Sequence, residues 1–137
     1  MEKETVIAKN ILDNMSDGVM TIDLKGEIIT FNPAAAQILR LRREDVLGKK
    51  FAEIFLEHEG NDAFNQVILD AIYESSVSHN RTVDFNTGDK IITLSLTTSF
   101  LQSTEGGGNA KVGVIAVFND VTEIKKLRDA ELRLTEE

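Results

Sequence analysis

Between Arg81 and Leu101 apolar and polar residues alternate one by one on either side of a short turn, the period of strands with one buried face. Arg81–Asn86 places Val83 and Phe85 on one side, and the turn Thr87–Asp89 follows. Lys90–Leu101 places Ile92, Leu94, Leu96 and Phe100 against Ile91, Thr93, Ser95, Thr97 and Ser99. Lys111–Asn119 is apolar on both sides, with Val112, Val114, Ala116 and Phe118 opposite Ile115 and Val117. A strand apolar on both faces reads as central in its sheet and needs two covers. The helices of the domain supply one. An N-terminal helix or a second subunit is expected to supply the other.

The first half mixes periods. Glu2–Asn14 is a helix candidate, in which Val6, Ile7, Ala8, Ile11 and Leu12, with Met15 just beyond, recur at helical spacing on a face narrow for a core helix. Val19–Asp23 and Glu27–Phe31 are short strands joined by Leu24–Gly26, where Gly26 can supply the positive φ of a tight hairpin. Asn32-Pro33 starts a helix over Pro33–Leu41, with Asn as N-cap and Pro at the first helical position. Short helical turns follow at Arg43–Gly48 and Lys49–Phe55. Ala63–Ser75, capped by Asn61 or Asp62, repeats Phe64, Val67, Ile68, Ala71 and Ile72 as one stripe that should cover a sheet face. Gly106–Gly108 reads as a hairpin loop. From Val121 the pattern is helical to the end, with Ile124, Leu127, Glu131 and Leu134 as a possible seam and Leu127, Ala130 and Leu134 as another. This order predicts an α+β domain, an antiparallel sheet with helices on one face. Three segments are expected: an N-terminal flanking helix (1–14), a core (15–120) and a C-terminal helix (121–137) that begins a coiled-coil linker. Both ends read as helices cut from a longer protein.

Composition narrows the function. The 137 residues are long enough for one core, and 42% of them are hydrophobic. A net charge of −8 speaks against a nucleic-acid backbone or an anionic membrane surface as partner, and it serves solubility equally. The absence of cysteine excludes disulfides, thiolate metal sites, cysteine nucleophiles and thiol-adduct photochemistry. No apolar run approaches the roughly 20 residues that span a bilayer, and Met1–Glu4 has no signal-peptide character. A cytoplasmic protein is expected. No serine has a nucleophile-elbow context and no carboxylate pair stands in an acid–base motif, so no enzyme is predicted.

Four stretches carry a resemblance: Met15–Asp23 (MSDGVMTID), Gly26–Ala35 (GEIITFNPAA), Arg43–Lys49 (REDVLGK) and Val117–Glu123 (VFNDVTE). In this order and spacing the chain resembles a PAS domain from about Ile11 to Thr122. The resemblance implies five antiparallel strands, a pocket between sheet and helices, and a sensory or dimerising role in a larger signalling protein. It places Asp120 and Thr122 where the last strand becomes the signalling helix. Locally, Asp120 can accept backbone N–H groups at the helix start, and a plain N-cap accounts for it as well.

Three functions follow as expectations. The first is a non-catalytic homodimeric module whose interface holds Val6, Ile7, Ile11, Ile115 and Val117. It would relay a signal to an output domain of the same chain, a histidine kinase or nucleotide cyclase. The second is a small-molecule or cofactor sensor with a pocket at Ile38, Phe51, Phe55, Phe64, Ile68, Leu94 and Leu96; the same residues suit plain core. The third, an enzyme in its own right, has no catalytic constellation behind it. No cofactor is expected. Haem would want a histidine on the Ala63–Ser75 helix, whereas His58 and His79 flank it. Flavin would lack both an adduct cysteine and a stacking tryptophan. Arg81 and Lys90 could reach a carboxylate ligand but suit solvated strand ends better.

Overall fold

The computed structural model describes residues 2–57, 59–103 and 110–136, apart from the side chains of Glu2 and of residues 133–136. Elements run in the order α1 (Glu2–Asn14), β1 (Gly18–Asp23), β2 (Ile28–Phe31), α2 (Pro33–Leu39), α3 (Arg43–Val46), α4 (Phe51–Phe55), α5 (Asp62–Tyr73), β3 (Arg81–Asn86), β4 (Ile91–Ser103), β5 (Ala110–Asp120) and α6 (Thr122–Glu136). The strands form one antiparallel sheet in the order β2-β1-β5-β4-β3, so β5 is central, as its two apolar faces predicted. The fold is the expected α+β architecture, with flanking helices at both ends.

Alternation decides which residues meet the helices. On β4, Ile92, Leu94 and Leu96 are buried under α5, while Ser95 and Thr97 face the other way. α2 packs on β1, where Ala34 and Ala35 allow close approach. The β1–β2 hairpin turns as expected at Gly26 (φ 86°), and Asp23 Oδ1 accepts the N–H groups of Lys25 and Glu27.

Two irregularities overrule strict alternation. On β5, Leu101 pairs with Gly113 and Gln102 with Lys111, so Val112 is an extra residue in the ladder. Strict alternation puts Val112 on the same face as Val114; it is exposed instead, because the bulge flips the face of every residue before it. The same shift turns Lys111 towards the helix side. Its Nζ donates to the Ala71 carbonyl at 3.2 Å and to Ser75 Oγ at 3.2 Å, and lies 4.5 Å from the Phe100 ring centroid. A cation there complements the C-terminal end of α5. A similar shift on β2, between the pairs Thr21–Thr30 and Ile22–Ile28, leaves Ile29 outside and exposed. Gly113 lies so close to β1 that an added Cβ would stand 2.3 Å from the Ile22 carbonyl oxygen.

The two asparagine caps behave differently. Asn32 caps α2 as expected, its Oδ1 accepting from Ala35 N at 2.9 Å and also from Val19 N at 2.8 Å. Its Nδ2 donates to the carbonyls of Leu12 and Asp17, so one buried amide ties α1, β1 and α2 together. Asn61 precedes α5 but makes no side-chain cap. Its Oδ1 accepts from Asn86 N at 2.7 Å, fastening the helix start to the end of β3. β3 is an edge strand, so the Asn86 N–H needs an acceptor from outside the ladder, and the Asn61 amide supplies it.

Candidate functional site: the sheet interior and the strand-to-helix junction

The seven candidate pocket residues come together. Phe51, Phe55, Phe64, Ile68, Leu94 and Leu96 are buried in one cluster, and Ile38 packs against it half-buried. Phe64 stands at the centre, with ring centroids 5.0 Å from Phe85, 5.6 Å from Phe55 and 6.2 Å from Phe118. Phe51 and Phe55 stack at 4.7 Å. Edge-on and offset contacts of this kind are favourable ring geometries, so the rings occupy the space between sheet and helices. A cavity of about 260 Å³ opens beside them, lined by Leu39, Leu41, Phe55, Phe85 and Asn86. Of the expected pocket residues, Phe55 alone is among its walls. Asn65 brings one polar group into this region. Its Nδ2 donates to the Phe55 carbonyl at 3.1 Å, whereas its buried Oδ1 has no partner among the described residues.

His79 is exposed, with Nε2 3.2 Å from Asn80 Nδ2, and lies outside this interior. Arg81 and Lys90 are exposed at strand ends. His58 and Gly106–Gly108 lie outside the described residues, as does the side chain of Leu134. Among the described residues no group of three or more His, Asp or Glu could hold a metal ion.

The junction between β5 and α6 is a hydrogen-bonded knot. Asp120 Oδ1 accepts from Thr122 N at 2.9 Å and also from the Thr122 hydroxyl. Thr122 Oγ1 in turn accepts from Thr93 N at 2.9 Å, and Val121 N donates to the Thr93 carbonyl at 2.8 Å. Thr93 therefore uses both backbone groups to hold the first residues of α6, and its own hydroxyl donates to Asp84 on β3 at 3.2 Å. Asp120 acts as the helix cap its position predicts, and Thr122 shares its network. Thr93 has no such signal in the sequence, because it looks like any outward residue of an alternating strand; only the sheet order brings it beside Thr122.

The expected interface residues separate into two groups. Val6, Ile7 and Ile11 on α1 are 57–58% exposed. Ile115 and Val117 are half-buried on the outer sheet face, where Val117 pairs with Val19 on β1 and Thr97 on β4. A groove of about 1060 Å³ runs between α1 and β2, lined by Val6, Leu12, Ile29 and Arg43 among others.

Comparison with known proteins places this architecture. Residues 8–121 match the PAS fold family. The chain is 31% identical over 116 residues to the signal transduction histidine-protein kinase AtoS of Escherichia coli, covering 85% of this chain and 18% of AtoS. It is 30% identical over 122 residues to the sensor protein kinase WalK of Staphylococcus epidermidis, covering 89% of this chain and 18% of WalK. The chain thus spans under a fifth of either relative. The crystal structure of a PAS domain from Colwellia psychrerythraea superposes with a TM-score of 0.66 at 16% identity, over 88% of this chain and 98% of that one. At that identity the likeness bears on the fold alone. With the family match covering most of the chain and the sheet order and flanking helices in agreement, the chain belongs to the PAS family.

Proposed function

We propose that the chain is a non-catalytic PAS sensory module that forms a homodimer and passes a signal through α6 to an output domain of the same chain. The observation that carries this reading is the knot at Asp120, Thr122 and Thr93, which couples the direction of α6 to the central strand and its neighbour. A shift of β4 relative to β5 would move both partners that Thr93 holds. The likeness to AtoS, a signal transduction histidine-protein kinase, and to WalK, a sensor protein kinase, favours a histidine kinase output over a nucleotide cyclase.

The dimer reading rests on apolar side chains without cover. Val6, Ile7 and Ile11 expose more than half of their surface close together on one helix, and an uncovered contiguous apolar patch is what marks an association surface. Ile115 and Val117 would extend that surface over the sheet. The exposed Ile124 and Leu127 at i, i+3 on α6 would continue it as a coiled coil. A net charge of −8 favours neither a nucleic acid nor an anionic membrane as partner. No described helix is long and apolar enough to cross a membrane, which fits a cytoplasmic role without membrane insertion. The ring-filled interior favours operation without haem or flavin.

Light scattering on the 137-residue protein tests the dimer. The wild type is expected at twice the monomer mass, and Ile7→Glu/Ile11→Glu at the monomer mass. A wild type that stays monomeric at every concentration overturns the dimer. A double variant that stays dimeric moves the interface to the sheet face or α6.

A second reading, a small-molecule sensor, is favoured by one observation. The unpartnered Asn65 Oδ1 is a buried acceptor that the donor of a bound molecule would satisfy. Mass spectrometry of the protein purified from cells, under native conditions, would reveal such a passenger.

A further inference from the structure

The outer face of the sheet holds one row of hydrogen-bonding side chains in register. Thr82 on β3 pairs with Ser95 on β4, and Ser95 pairs with Asn119 on β5. Adjacent strands are about 4.8 Å apart, so the three side chains form a polar strip about 10 Å long. Asn80 closes one end, its Oδ1 accepting the hydroxyls of Ser95 and Thr97 at 3.5 and 3.4 Å. α6 passes over this strip with Lys125 and Arg128, residues three apart on a helix and therefore on one side of it. The space between helix and strip is a cleft of about 600 Å³, within the range of about 300–1,000 Å³ usual for small-molecule sites.

The charges in this cleft are unbalanced. Its floor carries hydroxyl and amide groups and no carboxylate, while two cations form its roof and Asp129 also lines it. Among the described residues neither Lys125 nor Arg128 makes an ion pair; the pair present, Arg42–Glu44, is elsewhere. The side chains of Thr82 and Asn119 make no hydrogen bond among the described residues, so donors stand ready on both sides of the same space. A protein of net charge −8 gives an anion no long-range attraction, and the field is screened within about 8–10 Å in any case. Retention of an anion here would depend on direct contacts.

We propose that this cleft binds the phosphate group of a small phosphorylated molecule. A carboxylate that meets the Arg128 fork with both oxygens keeps its remaining acceptor sites in that same plane, which suits one side of the cleft better than both. A phosphate has three terminal oxygens. It can take the guanidinium fork of Arg128, the ammonium of Lys125 and a floor donor from Thr82 or Asn119 together. Bound in this way it would bridge α6 to β3–β5, one helical turn beyond the Asp120–Thr122 knot. The binding stands by itself, whether or not α6 relays a signal.

Titration of the isotopically labelled 137-residue protein with inorganic phosphate, followed by amide resonances at constant ionic strength, tests it. Saturable shifts are expected at Thr82, Ser95, Asn119, Lys125 and Arg128. Lys125→Gln/Arg128→Gln is expected to weaken the response about tenfold or more, since each lost charge removes a charge-assisted hydrogen bond. Lys126→Gln removes a neighbouring charge that faces the Lys90–Ile92 side of α6, and should leave the response unchanged. All three side chains replaced are exposed, so the fold is not at risk. Shifts that fail to saturate, that sodium chloride or acetate reproduces, or that persist in the double variant would overturn the proposal.

Discussion

The two faces of one sheet divide the work of this protein. Along β4 the same backbone sends Leu94 and Leu96 inwards and Ser95 and Thr97 outwards. The inner face meets helices that fill it with rings and aliphatic groups. The outer face carries apolar residues at its middle, Ile115 and Val117, and polar ones towards β3. The inner face is committed to stability, because its apolar side chains pack into one buried cluster with the helices. The outer face leaves Ile115, Val117, Ser95 and Thr97 only partly covered. Changes on that side therefore cost little folding energy, whereas any change inside costs much.

The largest effect that would sharpen this contrast is at the ring cluster. Phe64→Ala is expected to lower unfolding free energy by about 4 kcal/mol, through lost burial and an unfilled cavity. Urea unfolding measures it, and a loss below about 1.5 kcal/mol, the size of a volume-conserving swap, would break the view of a tightly filled interior. Gly113→Ala comes next. Its methyl would press on the Ile22 carbonyl oxygen, a backbone atom that cannot swing aside, and the expected cost is about 2 kcal/mol. Thermal unfolding of that variant measures it, and an unchanged midpoint would mean that β1 and β5 can part to admit the methyl.

At the junction Thr122→Val should cost about 1 kcal/mol, by leaving the Thr93 N–H without its acceptor. Hydrogen exchange is the sharper measurement there. Amides at the start of α6 should exchange faster while those of Leu94 and Leu96 keep their protection. Equal loosening of both would mean that the junction is part of the core and not a separable joint.

The smallest effect belongs to the exposed pair Arg42–Glu44, whose side chains stand 2.5 Å apart. The backbone N–H of Glu44 and then the Arg42 guanidinium hold the Glu44 carboxyl below its ordinary value. A depressed carboxyl contributes stability that is present above its unfolded pKa of about 4.3 and lost as pH falls through the folded one. Glu44→Gln should thus leave stability at pH 7 nearly unchanged and slightly flatten its decline in acid. A large change at neutral pH would contradict the low worth of exposed pairs.

Much of this fold is legible in the residues. Alternation in β3 and β4, the stripe Phe64–Ile72, the turn at Gly26 and the cap at Asn32 each depend on neighbours within a few positions, so local pattern suffices for them. The central place of β5 follows from its two apolar faces. The site was legible only in its endpoints. Asp120 and Thr122 stand in a recognisable stretch, whereas Thr93 and Asp84 complete the junction from far along the chain and look ordinary there.

The amino-acid order alone determined which segments are helix or strand, which face of each strand is apolar, and that two helices would flank the sheet. These depend on backbone geometry and side-chain period, which are local. Tertiary structure alone decided the rest. The bulge that exposes Val112 and hands Lys111 to the end of α5 exists because two strands must stay paired with one residue to spare. The Asn61 side chain accepts from Asn86 on β3, while only its backbone carbonyl serves the start of α5. The row Thr82–Ser95–Asn119 arises from register between strands, and it meets Lys125 and Arg128 only because the Asp120–Thr122 knot starts α6 where it does.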